Sequence, residues 1–229
     1  MYKLYTAAGR MQISGTIGNK KCPEVILGNR EYILDVQEMM LWTILNWRIL
    51  DREEAQELYE AKEKEIGYQS HRDYYDCLHR LVQRGLVAEG YGETAEDALY
   101  DLLSELYIVP ISENIFLRAI SFIKLTVFNG VPVSVTKKVL GTDKRSDNEK
   151  KVMRLARQAL MSTAEIIKCV ETNSLDFRSE EQLVNTLYHD NVTTCDNLAA
   201  TTRQFPSCRP VLTSVANLYL RKQIIFERL

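Results

Sequence analysis

The sequence predicts a mostly α fold with a small β part: an N-terminal β-hairpin and a three-helix module, followed by an all-helical domain. Three observations carry this. Helical apolar stripes recur behind residues that cap helix N-termini, as at Asp35 and Asp51. Alternating or short apolar runs with a Gly-Asn turn occupy the first 34 positions. Hydrophobic content of 45% and charged content of 26% are ordinary for a globular chain of 229 residues, enough for one large or two small cores.

In chain order, Arg10–Gly15 alternates as a half-buried strand, and 15–23 reads as an exposed loop with Lys20 and Lys21 at its tip. Glu24–Leu27 and Arg30–Leu34 flank Gly28-Asn29, a two-residue hairpin turn. Asp35 with Glu38 forms a capping box, and Met39, Leu41, Trp42, Ile44, Leu45 and Ile49 follow at helical spacing. Asp51 with Glu54 opens a second helix that Gly67 closes in the left-handed conformation. Ser70 with Asp73 is expected to start a third, with Tyr74, Cys77, Leu78, Leu81 and Val82 inward and Gly85 at its end. Leu86–Gly90 then reads as a strand entering a tight turn at Gly90-Tyr91-Gly92, and Thr94 with Asp97 caps a further helix.

Beyond Pro110–Glu113, the expected boundary between domains 1–110 and 111–229, the pattern is helical. It gives an apolar helix over Asn114–Phe128, a short one from Ser134 to Leu140, and a long amphipathic one over Glu149–Val170. Further starts are expected at Ser179 with Gln182 and at Thr193 with Asp196, and a last helix over Val211–Leu229. No repeat of fixed period is visible.

The run Leu78–Val87 resembles a recognition helix passing into the wing strand of winged-helix (winged helix-turn-helix) proteins, over about 55 residues. The second wing strand does not follow directly; the wing is abbreviated, or Tyr107–Ile111 supplies the strand after the intervening helix. A hairpin feeding a three-helix core also resembles the PqqD-like peptide-binding domains, through Leu27–Asp35 running into Met40-Leu41-Trp42. That likeness implies strand addition at an exposed hairpin edge. The winged-helix likeness implies a transcription regulator that reads double-stranded DNA through His71, Arg72, Tyr75, His79, Arg80, Gln83 and Arg84, with Asp73 and Asp76 working against it. It also implies a homodimer; the apolar residues of Val211–Leu229 either bury within one subunit or zip against a second copy.

Charge is unevenly spread under a net of −2. Residues 31–105 hold 7 Lys+Arg against 18 Asp+Glu, a net of −11, which repels phosphates at long range and favours a protein or peptide partner instead. A second basic patch comprises Lys137, Lys138, Lys144, Arg145, Lys150, Lys151, Arg154 and Arg157. It is read either as a nucleic-acid contact or, preferably, as docking on the acidic half.

A search for catalytic patterns is nearly empty. His71 and His79 lie two turns apart, too far for a chelate, and His189 has a neighbouring carboxylate but no nucleophile motif. Five cysteines without a CxxC pair read as reduced thiols. The expectation is a cytoplasmic non-enzyme without cofactor, metal or membrane span.

Overall fold

The computed structural model describes residues 1–17, 20–69, 71–111, 145–189 and 193–228. The expected helices over Asn114–Phe128 and Ser134–Leu140 lie outside these residues, as do Ser70, Lys137, Lys138 and Lys144.

The fold is mostly α with a small β part. The first half contains β1 (Tyr2–Ala7), β2 (Arg10–Ile17), β3 (Lys20–Leu27), β4 (Arg30–Ile33), α1 (Val36–Leu45), β5 (Leu50–Asp51), α2 (Arg52–Ile66), α3 (Tyr74–Gln83) and β6 (Val87–Gly92). Then come α4 (Ala95–Leu103), β7 (Tyr107–Pro110), α5 (Asp147–Gln158), β8 (Met161–Ser162) and α6 (Thr163–Glu171). The described chain closes with α7 (Glu180–Tyr188), α8 (Leu198–Thr202), α9 (Cys208–Leu220) and β9 (Ile224–Glu227).

Local chemistry explains the starts and stops. Asp35 and Asp51 both form reciprocal capping boxes, with Glu38 and Glu54. Asp73 caps α3, so that helix starts at Tyr74 and leaves His71 and Arg72 in the connection before it. Ser146 with Glu149 and Ser162 with Glu165 form two further boxes. The second of these divides the long helix expected over Glu149–Val170 into α5 and α6, with the two-residue strand β8 between them.

The two halves repeat one plan. In each, an early strand lies in the centre of a three-stranded antiparallel sheet, flanked by a two-residue strand and by the strand after the last helix: β5-β1-β6 in the first unit, β8-β7-β9 in the second. The registers correspond. Leu4 and Tyr5 face Asp51 and Leu50, as Tyr107 and Ile108 face Ser162 and Met161. Thus α1, α2 and α3 have α5, α6 and α9 as counterparts. Spacing shows why no fixed period is visible. The capping residues Asp35 and Ser146, and Asp51 and Ser162, are 111 positions apart, but the last residues of α3 and α9 are 137 apart, because α7 and α8 are inserted before α9.

The correspondence reaches single bonds. Gly85 N–H reaches Val82 O and Leu86 N–H reaches Leu81 O; Lys222 N–H reaches Tyr219 O and Gln223 N–H reaches Leu218 O. Gly85 (φ 73°) and Lys222 (φ 59°) both take the left-handed conformation that this helix ending requires. The helix expected over Val211–Leu229 therefore stops at Leu220, and Ile224-Ile225-Phe226 are strand. The surface on which the dimer expectation rested is internal: Leu218, Ile224 and Phe226 are buried.

Several other expectations give way. Of the loop expected over 15–23, the described residues 15–17 and 20–23 are strand, β2 pairing with β3 as far as Ile17 and Lys20. The helix expected at Thr193 starts later, at Leu198. β6 runs straight through Gly90-Tyr91-Gly92 without a turn, and its partner is β1, from Tyr2 against Gly92 to Ala7 against Val87. β7 supplies no strand to the first unit; it is the centre of the second sheet, so a division at 110/111 cuts through the second unit. α4 lies on β6 so closely that a Cβ at Gly90 or Gly92 would overlap its backbone.

The first core is built around Trp42, Leu41, Leu45, Tyr59 and Leu81, the second around Leu103, Met153, Leu218 and Phe226. They meet at Tyr219, whose hydroxyl accepts from Trp47 N (2.9 Å) and lies 2.9 Å from Thr6 Oγ1 and 3.2 Å from Ala7 O. Gly9 N–H donates to Phe226 O (2.7 Å) and Gly28 N–H to Glu227 Oε2 (2.7 Å). Burial pushes the Tyr219 phenol up to about 12 and raises the Glu227 carboxyl, with the Gly28 N–H opposing the latter. Among the described residues, no helix is long and apolar enough to cross a membrane.

Candidate interaction surfaces

The residues expected to read DNA lie on or beside α3, and the structure places each. Burial of Tyr74, Cys77, Leu78 and Leu81 turns Tyr75, Asp76, His79, Arg80 and Gln83 outward. The arginines among the expected readers point back onto α1. Glu38, the reciprocal member of the α1 capping box, has a side chain only 3% exposed; its Oε1 receives Arg80 Nε (3.1 Å) and its Oε2 receives Arg84 Nη1 (2.8 Å). Arg84 also donates from Nη2 to Ile33 O (3.0 Å) and lies over the Tyr32 ring. Arg72 pairs with Asp35 (2.5 Å). Burial alone would raise the Asp35 carboxyl, but the Glu38 backbone N–H and the Arg72 guanidinium hold it below its usual value.

The remaining expected readers have neighbours of their own. Tyr75 OH donates to Gln56 Oε1 (2.9 Å), and the Arg52 guanidinium stacks on its ring. His79 Nε2 lies 2.8 Å from Gln83 Nε2, and the His71 ring meets Tyr68 edge-on. Sequence spacing finds these positions, but the partners of the arginines come from α1, some forty positions earlier, and no local pattern announces them.

The second unit repeats the buried pair: Glu149, at the position of Glu38, receives Arg221, at the position of Arg84, at 3.3 Å. It does not repeat the open face. The counterparts of Tyr75 and His79 on α9 are Leu212 and Ala216, both buried.

Three of the five described members of the second basic patch have partners within the second half. Lys150 pairs with Asp147 (2.8 Å), Arg154 with Asp176, and Arg145 Nε donates to Gln223 Oε1 (2.6 Å). None of these three partners belongs to the acidic stretch 31–105. Other arginines join the C-terminal part to the acidic α4: Arg203 with Asp97 and Arg209 with Glu96.

An apolar groove of about 970 Å³ runs between α1 and α2 beside β4. Ile33, Val36, Met39, Leu58, Ala61 and Ile66 form its walls, and Asp35, Arg48, Lys62 and Glu65 lie along it. Ile33 (52% exposed), Val36 (57%), Leu58 (38%) and Ile66 (48%) present large aliphatic side chains to solvent on one side of the molecule. An apolar patch of this kind marks a contact surface more often than a scattered exposed leucine does. Ala55, Leu58, Tyr59 and Ile66 recur at helical spacing along α2; Ala55 and Tyr59 are buried, and Leu58 and Ile66 are left outside. A cavity of about 530 Å³ lies beside Tyr107, Glu165 and Tyr188. There Glu165 already receives Ser162 N–H (2.6 Å) and Tyr188 OH (3.3 Å).

No family model, no curated protein and no solved structure matches the chain.

Proposed function

We propose that the chain is an adaptor built from two winged-helix-like units, and that it binds a protein or peptide partner through the groove between α1 and α2. The observation that carries this is the groove itself: four large aliphatic side chains open to solvent on the most acidic part of the chain. Two others support it against DNA reading. Arg72, Arg80 and Arg84 are already paired with Asp35 and Glu38, and moving them to phosphates would leave the buried Glu38 carboxylate without its counter-charges. β6 pairs with β1 from the start of the chain, so among the described residues it is not followed by a paired second wing strand to flank a DNA backbone. Strand addition at β4, the mode that the PqqD likeness implies, would have to displace Arg84 from Ile33 O.

The test is a mobility shift with random duplex at low salt. The adaptor gives no shift at micromolar protein. A salt-dependent shift that weakens in Arg72→Ala, Arg80→Ala and Arg84→Ala would return the assignment to a DNA-binding regulator.

A further inference from the structure

We infer that the partner segment is a single amphipathic α-helix with basic residues flanking its apolar face; the inference rests on the groove being the binding surface. The groove is a channel between two helices. Val36, Met40 and Thr43 on one wall, and Leu58, Ala61 and Glu65 on the other, follow one another at three- and four-residue steps. Walls of that spacing accept the ridge of a third helix, whose side chains repeat at the same intervals. Leu58 and Ile66 are eight residues apart, about 12 Å along α2, so the open floor is about two turns long. A partner helix of about three turns, with apolar anchors at i, i+3 or i+4, and i+7, covers it.

Charge selects among such helices. α2 carries Glu53, Glu54, Glu57, Glu60, Glu63 and Glu65 against Arg52, Lys62 and Lys64. The wider stretch 31–105 has a net of −11. A second copy of the same surface would bring two acidic α2 helices together, and an acidic partner would meet the same repulsion. A basic flank is drawn in from a distance and stays on the solvated rim.

The experiment uses three fluorescein-labelled peptides of about 18 residues with identical leucine positions. One is flanked by lysines, one by glutamates, and one keeps the lysines but carries two central prolines. Each is titrated by anisotropy against the full chain and against Leu58→Glu/Ile66→Glu, whose fold is checked by circular dichroism. Both replaced side chains are exposed, and the added acids would strengthen any purely ionic capture of the lysine peptide. The expected result is that the lysine helix binds at least about tenfold more tightly than the other two, and that the double variant loses about tenfold or more. If the glutamate or proline peptide binds as well and the double variant abolishes it, the groove stands and the basic helix is wrong. If no peptide binds and light scattering shows a dimer that the double variant dissociates, the occupant is a second copy. No binding by a monomeric chain overturns the groove along with its occupant.

Discussion

Glu38 is the residue on which the first unit turns. It closes the α1 capping box and receives two guanidinium groups while itself nearly inaccessible. Glu149 has the same place and the same box, but among the described ion pairs it receives Arg221 alone, at 3.3 Å. The two positions should therefore respond unequally. Glu38→Gln keeps a group able to reach the N-cap N–H but loses both charge-assisted bonds, and should cost about 2 kcal/mol; Glu149→Gln should cost about half of that. For a chain of this length, 2 kcal/mol lowers the thermal midpoint by roughly 4–8 °C, and differential scanning calorimetry on both variants reads the difference directly. Equal losses would mean that the box, and not the arginines, makes up the contribution. The sequence supplies the box at Asp35 and Glu38 without ambiguity. It does not supply the arginines as its partners, because Arg80 and Arg84 read just as well as an outward row on α3.

At the scale of elements, what was legible depended on whether a local residue marks each boundary. Gly85 marks the end of α3. Lys222 fills the same left-handed position after α9 with a side chain that ordinarily avoids it, so nothing in Val211–Leu229 signals the change from helix to strand. The Ser162–Glu165 box does signal a new start. It lies between two stretches of helical periodicity that join without a break, so the pattern reads as one helix until the register of β7 against β8 separates them. Gly90-Tyr91-Gly92 illustrates the opposite error. Its glycines resemble a turn, but their role is to admit α4, which packs where side chains would stand. Gly90→Ala should thus destabilise by about 1–3 kcal/mol through overpacking against α4. The same change at Gly67, where a Cβ meets no atom within 4 Å, should be limited to the strain of its left-handed backbone (φ 64°). Urea unfolding of the two variants checks this: a larger loss at Gly67 than at Gly90 would contradict the close packing of α4 on β6.

Over the whole molecule, the repeated plan explains how one half came to be open and the other closed. In the second unit α7 and α8 enter between the counterparts of α2 and α3, and the helix face that carries Tyr75 and His79 in the first unit carries buried Leu212 and Ala216. The repeat escapes a search for a fixed period because strand, helix pair and last helix are each displaced by a different number of residues. The strand orders β5-β1-β6 and β8-β7-β9 carry it instead. The halves are joined partly through Glu227, whose carboxylate accepts from Gly28 N–H. Its raised folded-state pKa, caused first by burial, means that the stability tied to it is complete below the unfolded carboxyl pKa and is lost as pH rises through the folded value. Glu227→Gln keeps an acceptor for Gly28 without the buried charge. It should raise the thermal midpoint at pH 7 and leave it nearly unchanged at pH 4; a lowered midpoint at pH 7 would show that the ionised carboxylate is itself what the junction needs.

The charge imbalance was readable from the start, and so was a three-helix unit beside a hairpin. What they are for depends on which surface is free, and that follows from contacts between distant segments: Arg80 and Arg84 with Glu38, β1 with β6, α4 on the glycines. The most direct measurement is methyl and arginine side-chain NMR on the labelled chain, titrated with random duplex and then with the lysine-flanked helical peptide. Shifts confined to Ile33, Val36, Leu58 and Ile66 on adding peptide, with none on adding duplex, are the predicted result. Shifts of Arg80 and Arg84 on adding duplex, with the groove methyls unmoved by peptide, would contradict it.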